Sequence, residues 1–249
     1  MKIALHHTGD VGFRAGRILL GDRRVSRIGL IGRTPTESQG GRVEKASELT
    51  DYDLVVTDDS EPLPTIERAM AANISCVVWV EPEMDTLPPK SGSVLLTGAN
   101  LGSGIAPCLA SHEVARAAEA VSVIVAWTEP GTPLRSGEPL AFPDPSGGRW
   151  GRRHRSGDHT QCVAPVSGDW GGAVTKVTTQ ANGSSVTRIV GVADLAAHVE
   201  ALALAAGALA VGADAYPAGV VRPVDADTAY LAEALGAGLD VASYTLEGG

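Results

Sequence analysis

Short runs of consecutive apolar residues, each followed by a turn and then by helical spacing, constrain this chain more than any other feature. Ile3–His7 is the first run, and a helical pattern over Val11–Leu20 follows it. Val25–Ile31, Asp53–Thr57, Cys76–Val80 and Ser93–Thr97 are the next four. Helical spacing appears over Pro62–Asn73 and from about Ile105 to Ala120. Unbroken apolar runs belong to strands buried on both faces, and strands alternating with helices imply parallel pairing through crossovers. The expectation for residues 1–120 is an α/β domain with an open, doubly wound parallel sheet.

After Val121 the texture changes. Val121–Trp127 reads as a further strand, while Glu129–Asp169 is rich in Gly, Pro and Arg and has little periodicity. That stretch is expected to be a long irregular loop, of a length that often carries function. Its basic cluster, Arg149–Arg155, reads as solvated loop. Gly172–Gln180 and Ser185–Val192 flank Ala181-Asn182-Gly183, a hairpin signal. An Ala-rich helix over Leu195–Val211 follows, with Asp194 as its cap, and a short helix near Thr228–Leu235 ends at Gly236 and Gly238. Residues 121–212 are therefore expected to form a smaller α+β domain for substrate binding and oligomerisation. The tail, 213–249, is expected to pack back on the first domain.

At 249 residues and 44% apolar the chain is long enough for a large core. Its net charge of −9 argues against a nucleic-acid partner, which wants a basic surface. Cys76, Cys108 and Cys162 show no paired spacing, which reads as reduced thiols and a cytoplasmic location. No stretch suits a membrane span or a leader, and no His/Cys/Asp/Glu grouping has metal-ligand spacing, so no membrane partner and no metal are expected.

Gly9-Asp10-Val11-Gly12 stands between the first strand and the first helix. Glycines there let the backbone approach a pyrophosphate, whose charge faces the free amides of the helix start. Gly9, Asp10, Val11 and Gly12 are thus candidate cofactor contacts in a Rossmann-type domain. The second strand ends at Gly32-Arg33-Thr34 without a carboxylate. A cation there suits a 2′-phosphate, so Arg33 and Thr34 favour NADP, with NAD possible. Ligands of open parallel sheets bind beyond the carboxyl ends of strands, which adds Asp59, Ser60, Glu81 and Asn100 to the cofactor set.

The layout resembles the reductase superfamily of dihydrodipicolinate reductase, homoserine dehydrogenase and saccharopine-type dehydrogenases, and dihydrodipicolinate reductase most. The first strand and glycine turn, Asp53-Leu54-Val55-Val56, the Thr97–Gly104 segment and Pro217-Ala218-Gly219-Val220 carry the likeness. The resemblance implies a Rossmann domain, a nicotinamide cofactor and assembly through the second domain, commonly as tetramers. The family's paired histidines and lysine are not matched: the corresponding stretch reads Ala126-Trp127-Thr128-Glu129-Pro130-Gly131. A different substrate is expected. Hydride transfer often needs a proton donor, and His154, His159 and Glu129 are the catalytic candidates.

These readings converge on an NADP-preferring oxidoreductase acting on a small polar carbonyl or imine metabolite, assembled as a homo-oligomer, dimer or tetramer. The alternative is a dinucleotide-binding sensor without catalysis.

Overall fold

The computed structural model describes residues 1–34, 41–82, 92–117, 120–129, 139–142, 149–156, 159–165, 169–181 and 184–248, with the backbone alone at 129, 139–142, 149–156, 159–165, 181 and 248. Its first sheet holds seven parallel strands. They are β1 (Lys2–His6), β2 (Arg27–Leu30), β3 (Val43–Lys45), β4 (Leu54–Thr57), β5 (Ser75–Val78), β6 (Val94–Leu96) and, from the tail, β13 (Gly219–Val221). The order is β13-β6-β5-β4-β1-β2-β3, with the direction of travel reversing between β1 and β4. Ile3, Leu5, Leu54, Val56, Leu95 and Leu96 are all fully buried, as strands covered on both faces require. This is the doubly wound Rossmann-type sheet that the apolar runs predict.

Helix α1 (Asp10–Gly21) packs on one face of this sheet with α4 (Ala196–Gly212), and α2 (Leu63–Ala71) packs on the other. Gly16 lets α1 lie close on β1, since a Cβ there would sit 2.8 Å from the Leu5 side chain. No helix joins β2 to β3 among the described residues.

The second sheet has the order β14-β12-β11-β7-β10-β9-β8 and is antiparallel except for β7 with β10. Its strands are β7 (Ala120–Glu129), β8 (Pro139–Phe142), β9 (Arg149–Ser156), β10 (His159–Pro165), β11 (Trp170–Ala181), β12 (Ser184–Leu195) and β14 (Ala242–Gly248). The hairpin β11–β12 matches its prediction, while Asn182 and Gly183 of its turn lie outside the described residues. The expected irregular loop over Glu129–Asp169 is corrected: β8, β9 and β10 run through it and extend the sheet beyond β7. A ladder is satisfied by backbone groups, so an Arg-rich segment can pair without an apolar pattern.

Helices α3 (Ala106–Arg116), α4 and α5 (Asp227–Gly236) cover the inner face of this second sheet. Ala173, Thr175, Val177, Val190 and Val192 point to them, and Arg188 pairs there with the buried Glu113 of α3. Helix α4 lies between the two sheets. Ala201, Leu204, Ala205 and Ala208 face the first core, and Val199, Leu202, Ala203 and Ala206 face the second. A helix buried all round must be apolar nearly all round, which explains the run from Ala201 to Val211. Asp194 belongs to β12 instead of capping α4, whose N-cap is Leu195.

Candidate functional site

The strand order reverses between β1 and β4, and ligands of open α/β sheets bind at the carboxyl ends of strands at such a reversal. The register pairs His6 with Thr57, which brings Asp58 beside the glycine turn. Asp58 is 5% exposed, and its carboxylate accepts the amides of Thr8 at 2.6 Å, Gly9 at 3.1 Å and Gly12 at 2.7 Å. The first two amides of α1, those of Asp10 and Val11, are not among its partners and have no intrahelical acceptor.

Helix α1 begins at Asp10 with Gly9 as N-cap, so the turn aligns with the dinucleotide fingerprint as His7-x-Gly9-x-x-Gly12. His7 stands where the first fingerprint glycine would be. Gly12 faces inward: a Cβ there would lie 2.6 Å from the His7 Cβ and 2.7 Å from the Asp58 Cγ. Its missing side chain makes room for the protein's own carboxylate. At Gly9 a Cβ would meet only an Asp58 oxygen, at an ordinary 3.5 Å.

His7 is 7% exposed, its ring tilts against Phe13, and its Nδ1 has no hydrogen-bond partner. Burial, then the charge of Arg33, holds the imidazole below the usual histidine range, with Asp58 opposing. Arg33 and Thr34 are exposed just past β2, after Gly32 turns the chain with φ +71°. His6 Nδ1 lies 3.3 Å from Thr57 Oγ1, 3.2 Å from Thr65 Oγ1 and 3.8 Å from an Asp59 carboxylate oxygen. Asp59 also accepts the amide of Glu61, and Ser60 is exposed beside it.

A cleft lies between the sheets, beyond β5, β6 and β7. One cavity of about 210 Å³ is lined by Trp79, Asn100, Ser103, Trp127, Thr128 and Glu200. Trp127, Ser103 and Gly102 also border a neighbouring cavity of about 720 Å³, which reaches Glu81 and Arg222. Asn100 is held on both sides: its Nδ2 donates to the Trp79 carbonyl at 2.8 Å and its Oδ1 accepts the Ser103 amide at 2.7 Å. It thereby caps the wide turn Leu101–Ile105 that leads into α3. Glu81 is exposed, 3.5 Å from the Arg222 guanidinium. Glu200 reaches this cleft from α4. It is 6% exposed, and one carboxylate oxygen accepts the Trp79 indole N–H at 2.9 Å and the Leu101 amide at 3.0 Å. The Trp127 indole covers Gly102, where a Cβ would lie 2.5 Å from its Nε1.

Arg33, the glycine turn, Asp59, Glu81 and Asn100 thus share the carboxyl edge of the parallel sheet. Of the catalytic candidates, Glu129 ends β7 two residues past Trp127. His154, on β9, pairs with Gln161 of β10, which is level with Val125 of β7. His159 begins β10, further from the cleft end of the sheet. The side chains of these three lie outside the described residues. Glu200, Trp79 and Trp127 escape the sequence reading. The available signal for Glu200 is a carboxylate inside an otherwise apolar helix. Burial pushes the Cys76 thiol up to about 12 and the Cys108 thiol higher still, which disfavours the reactive thiolate at both.

No protein-family model matches this chain, and no curated protein matches it. Solved structures do. A C. glutamicum DAP dehydrogenase in complex with DAP superposes with TM-score 0.58 at 11% identity, covering 90% of this chain and 93% of that one. A Legionella pneumophila homospermidine synthase in complex with NAD gives 0.58 at 10% identity, covering 98% and 91%. An engineered D-amino acid dehydrogenase bound to NADP+ gives 0.55 at 12%, covering 90% and 93%. These likenesses show a fold shared with those proteins across nearly the whole chain, and they do not single out dihydrodipicolinate reductase.

Proposed function

We propose that this chain is an NADP-preferring oxidoreductase that moves a hydride to or from a small polar carbonyl or imine metabolite. The observation that carries the reading is the alignment of candidate groups along one sheet edge. Successive strands β2, β1, β4 and β5 present Arg33, the start of α1, Asp59 and the Trp79–Glu81 segment, over roughly 15 Å at the usual strand spacing. An elongated ligand laid on that edge ends in the cleft between the sheets.

The fit of a dinucleotide rests on the amides of Asp10 and Val11 for phosphate and on the Arg33 guanidinium for a 2′-phosphate, with the Thr34 hydroxyl beside it. The bound nicotinamide supplies the hydride chemistry. Glu200 holds the Trp79 indole and the Leu101 backbone, and so fixes one wall of the substrate cavity. Trp127 roofs the cavity at Gly102 and limits water. Glu129, His154 and His159 are the proposed sources of a proton. The sequence resembles dihydrodipicolinate reductase in patches, but the unmatched histidine pair and lysine favour another substrate. The names of the superposed DAP and D-amino acid dehydrogenases favour the imine side of this reading.

The test is loss of reduced-nicotinamide absorbance with NADPH against a panel of keto acids and cyclic and open imines. Turnover on one of them is expected. Tight NADPH binding with no turnover on any points instead to a dinucleotide sensor.

Self-association through the second sheet belongs to the same proposal. Its outer face carries Ile124, Lys176, Ile189 and Tyr244 in one cross-strand row, with Leu246 beside it, and no described helix covers that face. Light scattering after size exclusion is expected to give a dimer or tetramer. A single species near 25.5 kDa contradicts it.

A further inference from the structure

We propose that Asp58 is a resident anion of the phosphate-binding turn, and that its charge sets how tightly this turn accepts a dinucleotide. The inference rests on the reading of the turn as the dinucleotide site. The start of a helix offers a limited set of free amides and a partial positive charge. Here the amides of Thr8, Gly9 and Gly12 already end on one carboxylate, at 2.6, 3.1 and 2.7 Å. A pyrophosphate seated on the amides of Asp10 and Val11 would share that positive end with a full negative charge.

A second observation points the same way. His7 stands beside this charge, since its Cβ abuts the Gly12 position together with Asp58. It is buried, its Nδ1 is unpartnered, and its surroundings favour the neutral ring. Among the described residues no Lys or Arg side chain bonds Asp58; its partners there are the three amides and the Thr8 hydroxyl. The turn is built around an internal anion and resists a second one. Asp58 is therefore a specificity-determining residue: a ligand with less charge at this point, or a turn with Asp58 neutralised, binds better.

The test is calorimetric titration of the wild type, Asp58→Asn and Asp58→Ser with NADPH and with inorganic pyrophosphate, beside thermal denaturation without ligand. Both variants are expected to melt lower, because the buried amides lose a charged acceptor, and to bind both ligands at least tenfold tighter. A merely structural carboxylate would lower melting and leave binding unchanged or weaker, which overturns the inference. Wild type that binds NADPH, with variants no tighter, overturns it and leaves the dinucleotide reading standing. Variants tighter for pyrophosphate, with no form binding NADPH, support the resident anion and overturn the dinucleotide reading. No binding of either ligand to any form overturns both. Should neither variant fold, pyrophosphate titration followed at the wild-type amide resonances of Asp10 and Val11 decides: shifts that saturate only at millimolar ligand support the resident anion, and saturation at micromolar ligand overturns it.

Discussion

Asp58 and Glu200 are buried carboxylates at the same edge of the parallel sheet, and they treat their surroundings in opposite ways. Asp58 turns into the glycine loop and spends itself on three amides of the loop and helix start. Glu200 crosses from the central helix, pins an indole and one amide, and lines a cavity. The first fills part of the turn with the protein's own charge, and the second lines an open cavity. Burial of a carboxylate is therefore a poor guide to function by itself; where its acceptor oxygens point, and what space remains beside them, is the useful distinction.

The comparison breaks most visibly at Gly12. Gly12→Val places carbon against the His7 Cβ and the Asp58 carboxyl, neither of which is the free end of a flexible chain. Overpacking of this kind costs about 3 kcal/mol, and here the loss of Asp58 bonds adds to it. Urea denaturation is expected to show a large drop in stability. A stable variant that has lost only NADPH binding would mean that Gly12 faces the ligand instead of Asp58.

The Glu200 side is sharpened by two replacements. Glu200→Ala leaves the Trp79 N–H and the Leu101 amide without this acceptor, at a cost of about 2 kcal/mol or more. Glu200→Gln keeps an acceptor and is expected to lose less than half as much. Equal losses in the two variants, measured by the same denaturation, would mean that the charge matters and the pinning does not.

A smaller effect is expected from His7. Its folded value lies below the ordinary 6.5, so the unfolded chain binds more protons as pH falls past that value. Stability from this group is present above about 6.5 and is lost as pH drops towards the folded value. His7→Phe should flatten that acid limb in a pH series of melting temperatures, and an unchanged slope would assign the limb to other groups.

The parallel sheet was legible because β1, β4, β5 and β6 are buried on both faces and show it as unbroken apolar runs. Strand β3, Val-Glu-Lys at an edge, carries no such mark. Strand β14 alternates Tyr244 and Leu246 with polar residues in a tail whose partner, β12, is known only once the fold is closed. Strands β8 to β10 were hidden by arginines and prolines, since backbone pairing needs no apolar side chain. Arg33, Asp59 and Asn100 are proposed for the site from their places at strand ends, which the apolar runs make visible. The role of Asp58 could not be read in this way, because it depends on β4 lying beside β1 in one particular register. Glu200 was masked by the helix around it, whose uniform apolarity reads as packing until both of its faces are seen to be covered.

Binding of NADPH and NADH to the wild type and to Arg33→Asp, followed by energy transfer from the indoles to the reduced nicotinamide, tests the central claim most directly. The account predicts saturable binding to the wild type, with NADPH preferred. In Arg33→Asp it predicts a loss of tenfold or more for NADPH and little change for NADH, since a charge-assisted bond to the 2′-phosphate contributes about 1.5–3 kcal/mol. Absence of saturable binding by either cofactor, or equal losses for both in the variant, would contradict it.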